Sequence, residues 1–178
     1  FLVDYDNQPS VLNLALTGVG RQNTISIPSE NINQEQMEHF AKMAAESKAK
    51  ARGIKDKTFG IRFKLNGIFI HEDIMLLRFN ISNQTNINYD IDQLRLYIRD
   101  QKKSKRTATQ EIEILPVFVQ DNTSKVAGKS DNTILFVVPK FTIPDKKYLA
   151  VQLMEKNGGR NLELHVKNKK IAKAVPID

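Results

Sequence analysis

The chain has 178 residues, and 40% of them are hydrophobic, which is enough for a packed core and excludes a disordered tail. It contains no cysteine, so disulfides and thiolate metal sites are impossible. The formal net charge of +7 fits nucleic acid, an anionic membrane surface or an acidic protein as partner, and equally a lysine-rich surface that only confers solubility.

Residues 1–27 contain two short alternating patterns, FLVDYD and VLNLALTG. Two strands cannot bury a sheet face alone, so we interpret residues 1–27 as tail strands of a missing N-terminal β domain or as edge strands added to the domain that follows. The chain opens in the middle of a strand pattern without an initiator methionine. This opening predicts a fragment of a longer protein whose leader lies upstream.

Residues 28–57 are predicted to form a connector that contains one helix. Asn33 can cap the helix, and Gln36 three residues later completes a capping box. An apolar stripe follows at helical spacing, formed by Met37, Phe40, Ala41 and Ala44. Basic residues would occupy the last turns before a glycine stop, namely Lys48, Lys50, Arg52 and then Gly53. The stripe is narrow and rich in alanine, so the helix is expected to lean on a neighbouring element.

From Phe59 onward the apolar period changes to two, which predicts strands. Asn66-Gly67 and His71–Asp73 are expected to be turns. Further strand patterns follow along the chain at Met75–Ile81, Leu94–Ile98, Glu111–Gln120 with an interruption at Pro116, Thr133–Val138, Tyr148–Glu155 and Asn161–Lys167. About seven short strands without a helix between them predict an immunoglobulin-like antiparallel β-sandwich over residues 58–178.

The stretch PKFTIPDKKYLAVQLMEKNGGR, residues 139–160, carries the clearest local signals for this sandwich. Pro144 followed by Tyr148 has the spacing of a tyrosine corner, in which the hydroxyl hydrogen bonds with upstream backbone. The alternative is that Tyr148 is a half-exposed strand aromatic, which β propensity alone explains. Gly158 and Gly159 are expected to close the final hairpin.

No constellation of residues predicts catalysis or a cofactor. The three histidines, His39, His71 and His165, lack the spacing of metal ligands. Neither a phosphate-binding glycine loop nor a GxSxG serine is present. The carboxylate pairs Asp90 with Asp92 and Glu111 with Glu113 are interpreted as solvent-facing positions of strands. The chain is therefore not expected to be an enzyme.

Basic residues provide a candidate contact for DNA or for an acidic partner. Four of them share one loop: Lys102, Lys103, Lys105 and Arg106. Others lie towards the C-terminus at Lys146, Lys147, Lys167, Lys169, Lys170 and Lys173. Any of these cations could contact phosphate. Proteins that bind single strands also expose aromatic rings, whereas the aromatic residues here fall mainly on inward positions.

Extended similarity over residues 50–170 suggests a family. The segments RGIKDK, NYDID, KRTA, KFTIPDKKYL and EKNGGR resemble the TraN proteins of Bacteroidetes conjugative transposons. The resemblance implies a non-catalytic component of a type IV secretion-like conjugation apparatus, located in the periplasm and associated with the outer membrane. Its implied partners are other subunits of the envelope complex. A small lipoprotein is added by analogy with the outer-membrane-core subunit of type IV systems.

We therefore expect a structural subunit that takes a partner strand at an exposed strand edge. Two alternatives remain open. One is a nucleic-acid-contacting module that uses the 102–106 loop, and the other is an adhesion or carbohydrate-binding sandwich with an exposed aromatic platform.

Overall fold

The computed structural model of the protein describes residues 33–49, 51–101, 111–121 and 124–177. The predicted strands in residues 1–27 lie outside these ranges. The first described element is helix α1 (Gln34–Glu46), which is capped by Asn33 with the reciprocal Gln36 contact of a capping box, as predicted. Its Ala41 and Ala44 are fully buried.

Eleven strands and one further helical turn follow α1 in the described residues. They are β1 (Lys55–Thr58), β2 (Ile61–His71), β3 (Ile74–Asn83), β4 (Tyr89–Asp100), β5 (Ile112–Ile114), β6 (Phe118–Gln120), β7 (Lys125–Val126), β8 (Ser130–Pro139), β9 (Lys147–Glu155), β10 (Leu162–Val166), α2 (Asn168–Ile171) and β11 (Val175–Pro176).

The strands form two sheets. The first sheet has the order β1-β2-β3-β8-β6, with β11 beside β2, and the second has the order β10-β9-β4-β5, with β7 beside β4. All pairs are antiparallel except β11 with β2. The main core lies between the sheets and includes Phe63, Phe79, Leu96 and Val151.

The strand order confirms the predicted immunoglobulin-like sandwich. Strands β2, β3, β8 and β6 take the places of A, B, E and D, while β10, β9, β4 and β5 take those of G, F, C and C′. More strands are present than the seven expected. The predicted stretch Glu111–Gln120, interrupted at Pro116, contains both β5 and β6, and three further strands, β1, β7 and β11, have only two to four residues and are too short to show an alternating pattern.

Helix α1 covers part of the outer face of the first sheet. Its Ala41 and Ala44 pack in a second apolar cluster with Phe69, Leu76 and Val137. The helix therefore packs against the sandwich, as its narrow, alanine-rich apolar stripe predicted. The division of the chain at residues 27 and 57 stays a prediction.

Two local predictions were wrong. Helix α1 ends at Glu46, before Lys48 and Arg52, because Ser47 is already extended with ψ of 134°. Gly53, with φ of +78°, instead belongs to the turn that leads into β1. Asn66-Gly67 is not a hairpin turn. It lies inside β2, where the register with β3 shifts by a β-bulge between Leu65 and Gly67.

Candidate functional site

Some of the basic residues proposed as contacts lie outside the described residues. Lys102, Lys103, Lys105 and Arg106 all lie there, so the role of their loop stays a prediction. Of the C-terminal lysines, Lys147 forms an ion pair of 2.8 Å with Asp100. The Lys170 Nζ donates to the Arg52 carbonyl oxygen at 2.6 Å and ties α2 to the segment before β1.

Tyr148 lies at the start of β9, but its ring faces away from the core. Its neighbours Leu149 and Val151 are fully buried, whereas Tyr148 is half-buried and its ring centroid is 4.5 Å from that of His165. Burial and the charge of Glu163 raise the pKa of its hydroxyl, and the nearby Arg99 opposes the shift. A tyrosine corner needs an inward ring that reaches upstream backbone. The corner interpretation of Tyr148 is therefore wrong, because strand alternation puts this residue on the outer face.

The other corner residues have separate local roles. The carbonyl oxygen of Pro144 accepts a hydrogen bond of 3.2 Å from the Lys147 N–H, which closes the turn into β9. Asn157 carries the left-handed backbone of the final hairpin, with φ of +53°. A Cβ on Gly158 would displace the Glu155 carboxylate, while Gly159 has open space around it.

A network of charged side chains covers the outer face of the second sheet. The Arg99 guanidinium lies 2.9 Å from a carboxylate oxygen of Glu111 and 2.9 Å from one of Glu163. Gln152 Nε2 also donates to Glu163 at 2.9 Å, and the His165 ring nitrogen lies 2.6 Å from its other oxygen. Partial burial alone would raise the pKa of Glu163, but these hydrogen bonds and the Arg99 charge lower it instead. The carboxylates of this face act as counter-ions that hold neighbouring strands together.

A second polar cluster closes the end of the sandwich near the β9–β10 hairpin. Tyr89 is fully buried, and its hydroxyl donates to the Arg160 carbonyl oxygen at 2.7 Å. Arg160 forms an ion pair with Glu155 and donates to the Asn88 carbonyl oxygen at 2.7 Å. Burial raises the pKa of Tyr89, and the Glu155 charge adds to this shift. The sequence did not predict this cluster, because Tyr89 begins β4 without a distinctive spacing to Glu155 or Arg160.

An apolar edge is exposed at the end of the first sheet, and we call Leu115, Val117 and Val119 the β6 edge. The exposed fractions of these three residues are 55%, 46% and 37%. Strand β6 pairs only with β8 among the described strands, and the Val117 N–H also donates to the Val137 carbonyl oxygen. Alternate backbone groups of an edge strand face away from its partner and can pair with an added strand.

Two cavities of about 250 Å³ and 690 Å³ adjoin at Ala51 and Arg52 and follow the side of β2 that carries β1 and β11. We call them the cationic groove. Among the described residues that line it, the cations are Arg52, Lys55, Lys57, Arg62, Lys64, Lys170 and Lys173. Asp56 is the only carboxylate in this described lining.

Histidines do not assemble into a metal centre in the described part of the chain, where no group of three metal-ligating side chains comes together. His71 stacks on Phe40 with ring centroids 3.8 Å apart, and its Nδ1 lies 2.8 Å from the Ile177 carbonyl oxygen. No helix in the described ranges is both long and apolar enough to cross a bilayer.

Comparison with protein families gives one assignment. The model of a family described as a domain of unknown function, DUF4138, matches residues 33–176. The chain belongs to the DUF4138 family. The DUF4138 region begins at the N-cap of α1 and ends within β11, so it includes the helix and both sheets. No curated protein matches the chain.

Proposed function

We propose that this DUF4138 domain is a non-catalytic structural subunit of a conjugative-transfer envelope complex, similar to the TraN proteins that its sequence resembles. The subunit acts through contacts with other proteins in the periplasm at the outer membrane. The observation that carries the contact is the β6 edge, where Val119 in β6 and Leu115 and Val117 in the segment before it expose apolar side chains beside the last described strand of the first sheet.

The β6 edge suits the addition of a strand from another subunit. Its outward backbone groups supply hydrogen bonds, and its alternating apolar side chains select a strand with apolar residues at every second position. Phe118, between two of these side chains, packs towards the α1 cluster and anchors the edge to the sandwich. Small soluble domains normally protect such an edge with lysine, proline or a bulge. Pro116 lies between Leu115 and Val117, whereas Phe118–Gln120 contains neither lysine nor proline, so the exposed apolar side chains here mark a surface for interaction.

The test replaces Val119 by lysine in the full-length protein and measures the frequency of conjugative transfer from donor cells. A lysine on an edge strand blocks strand addition. We expect the transfer frequency to decrease at least about tenfold, because the subunit can no longer take the partner strand. The matched control is Thr58→Lys on β1, and both variants are expected to keep the thermal midpoint of the unmodified protein.

A photo-crosslinker at position 119 identifies the partner in donor-cell envelopes. We expect adducts with an envelope subunit that disappear in the Val117→Lys variant. The proposed function is wrong if the adducts contain only cytoplasmic DNA-processing proteins. It is also wrong if donor cells with Val119→Lys transfer DNA at the same frequency as donor cells with Thr58→Lys.

A further inference from the structure

Like-charged side chains lie directly opposite each other at the start of the first sheet. In the β1–β2 register, Lys55 pairs with Lys64 and Lys57 pairs with Arg62. Directly opposed residues of antiparallel strands have Cβ atoms about 5 Å apart, so like charges at such positions destabilise the sheet. Within the described ranges, none of these four side chains forms an ion pair. The fold therefore keeps a local repulsion that its own described carboxylates do not relieve.

The one carboxylate in the groove is already engaged. Asp56 points to the opposite side of β1, where its Oδ2 accepts a hydrogen bond of 3.2 Å from the Glu163 N–H of β10. This contact joins the two sheets at their shared edge. Asp56 forms no ion pair with the described lysines beside it, so the seven cations of the groove lie around one carboxylate and an anion from outside the described domain would meet net positive charge.

The groove combines this charge with apolar surface. Val175 at its far end is 41% exposed and Ala51 is partly exposed, whereas Ile54, Leu65 and Ile68 in its lining are buried. The β1 pairing ends at Lys64 and the β11 pairing begins at Phe69. Between them the groove follows the bulge of β2, where the Ala51 N–H donates to the Asn66 carbonyl oxygen at 2.8 Å.

We infer that the cationic groove binds an extended acidic segment of a partner protein in which every second residue is a carboxylate. Lys55 and Lys57 are two residues apart on one strand, which is a repeat of roughly 7 Å. Alternate carboxylates of an extended peptide have the same repeat, so each could lie between a pair of opposed cations. The residues between these carboxylates point away from the cations. This site is separate from the β6 edge and does not depend on the proposed function.

Nucleic acid fits the groove less well. A strand of nucleic acid could satisfy the cations through its phosphates. Proteins that bind single strands add aromatic side chains on which bases stack, and the described lining of the groove contains none.

The experiment measures fluorescence anisotropy of the full chain with a labelled short peptide in which glutamate and valine alternate. The variant Lys57→Glu places a carboxylate opposite Arg62 and replaces a repulsion by an attraction. We expect Lys57→Glu to weaken binding of the peptide at least about fivefold, because it reverses a charge that contacts the peptide. The thermal midpoint of the protein should stay equal or rise. The control Lys156→Glu changes an exposed lysine in the β9–β10 turn and is expected to leave the affinity within about twofold.

Further probes decide the chemistry of the partner. The same peptide with glutamine in place of glutamate should not bind, and affinity for the acidic peptide should fall as salt is raised. Equal affinities of Lys57→Glu and Lys156→Glu for the acidic peptide would overturn the inference. It would also be overturned if oligothymidylate of the same charge, or vesicles of anionic lipid, bound the groove more tightly than the peptide and lost this binding in Lys57→Glu.

Discussion

The Arg78 guanidinium lies against the C-terminal end of α1, where its Nη1 donates to the Ala44 carbonyl oxygen at 2.7 Å. The same guanidinium also donates to the carbonyl oxygens of Ala45, Ser47 and Ala49 at 3.1, 2.8 and 2.7 Å. The last carbonyls of a helix lack partners within the helix. Arg78, on β3, donates hydrogen bonds to these carbonyls and so holds α1 and the segment after it against the first sheet.

We expect Arg78→Met to lower the free energy of unfolding by about 3 kcal/mol, because it leaves buried carbonyl oxygens without donors. Arg78 is 5% exposed, so water cannot easily replace it. Arg78→Lys should recover only part of the loss, since one ammonium group cannot reproduce the fork of a guanidinium. Urea unfolding provides the measurement, with the exposed Lys48→Ala as control. Equal stability of Arg78→Met and Lys48→Ala would show that Arg78 does not hold the helix.

A second prediction compares two tyrosines. Tyr89→Phe should lower the free energy of unfolding by about 1 kcal/mol, because it removes a buried hydrogen bond and leaves the Arg160 carbonyl oxygen without its donor. Tyr148→Phe should lower it less, since the half-buried Tyr148 hydroxyl lies where water can replace its contact with Arg99. The two variants remove the same atom, so each is the control for the other. If Tyr148→Phe lowered the free energy of unfolding more than Tyr89→Phe does, this prediction would be wrong.

Local patterns predicted those features that depend on neighbours in the sequence. The capping box of Asn33 and Gln36 follows from residues three apart, and it is present. Alternation identified the inward positions of β3, such as Leu77 and Phe79, both fully buried. The same alternation assigns Arg78 to the outer face. Arg78 becomes a buried hydrogen-bond donor only because α1 packs on that face.

Features that depend on long-range pairing could not be predicted in this way. Asn66-Gly67 has the composition of a hairpin turn, but pairing with β3 continues through it. A Cβ on Gly67 would lie 2.6 Å from the Phe69 ring, so glycine serves close packing at the bulge. The cationic groove likewise depends on the β1–β2 register, which sets Lys57 against Arg62. Sequence reasoning placed the main basic contact at residues 102–106 because those cations are adjacent in the chain.

The third prediction concerns acid stability. The hydrogen bond from Arg160 lowers the pKa of Glu155 in the folded chain. The pair therefore stabilises the fold above the ordinary glutamate pKa of about 4.3, and this contribution is lost as pH falls through the folded-state pKa. We expect Glu155→Gln to be less stable than the unmodified protein at neutral pH, with a difference that narrows below about pH 4. Thermal midpoints across this range provide the measurement. The exposed Glu46→Gln is the control, and a Glu155→Gln curve that only parallels the unmodified curve would contradict the prediction.

The fourth prediction concerns the tight turn between β1 and β2. Phe59 and Gly60 both have left-handed backbones, with φ of +54° and +74°, and the Phe59 residue is 58% exposed. Two-residue turns of this kind favour Asn-Gly, because a bulky residue in the left-handed region costs about 1–2 kcal/mol. We expect Phe59→Asn to raise the free energy of unfolding by about 1 kcal/mol, measured by urea unfolding. Gly60→Ala is the opposite control and should lower stability, because its Cβ would lie 2.5 Å from the Thr85 Cγ2. If Phe59→Asn lowers the free energy of unfolding instead, packing of the Phe59 ring stabilises the fold by more than its left-handed backbone destabilises it.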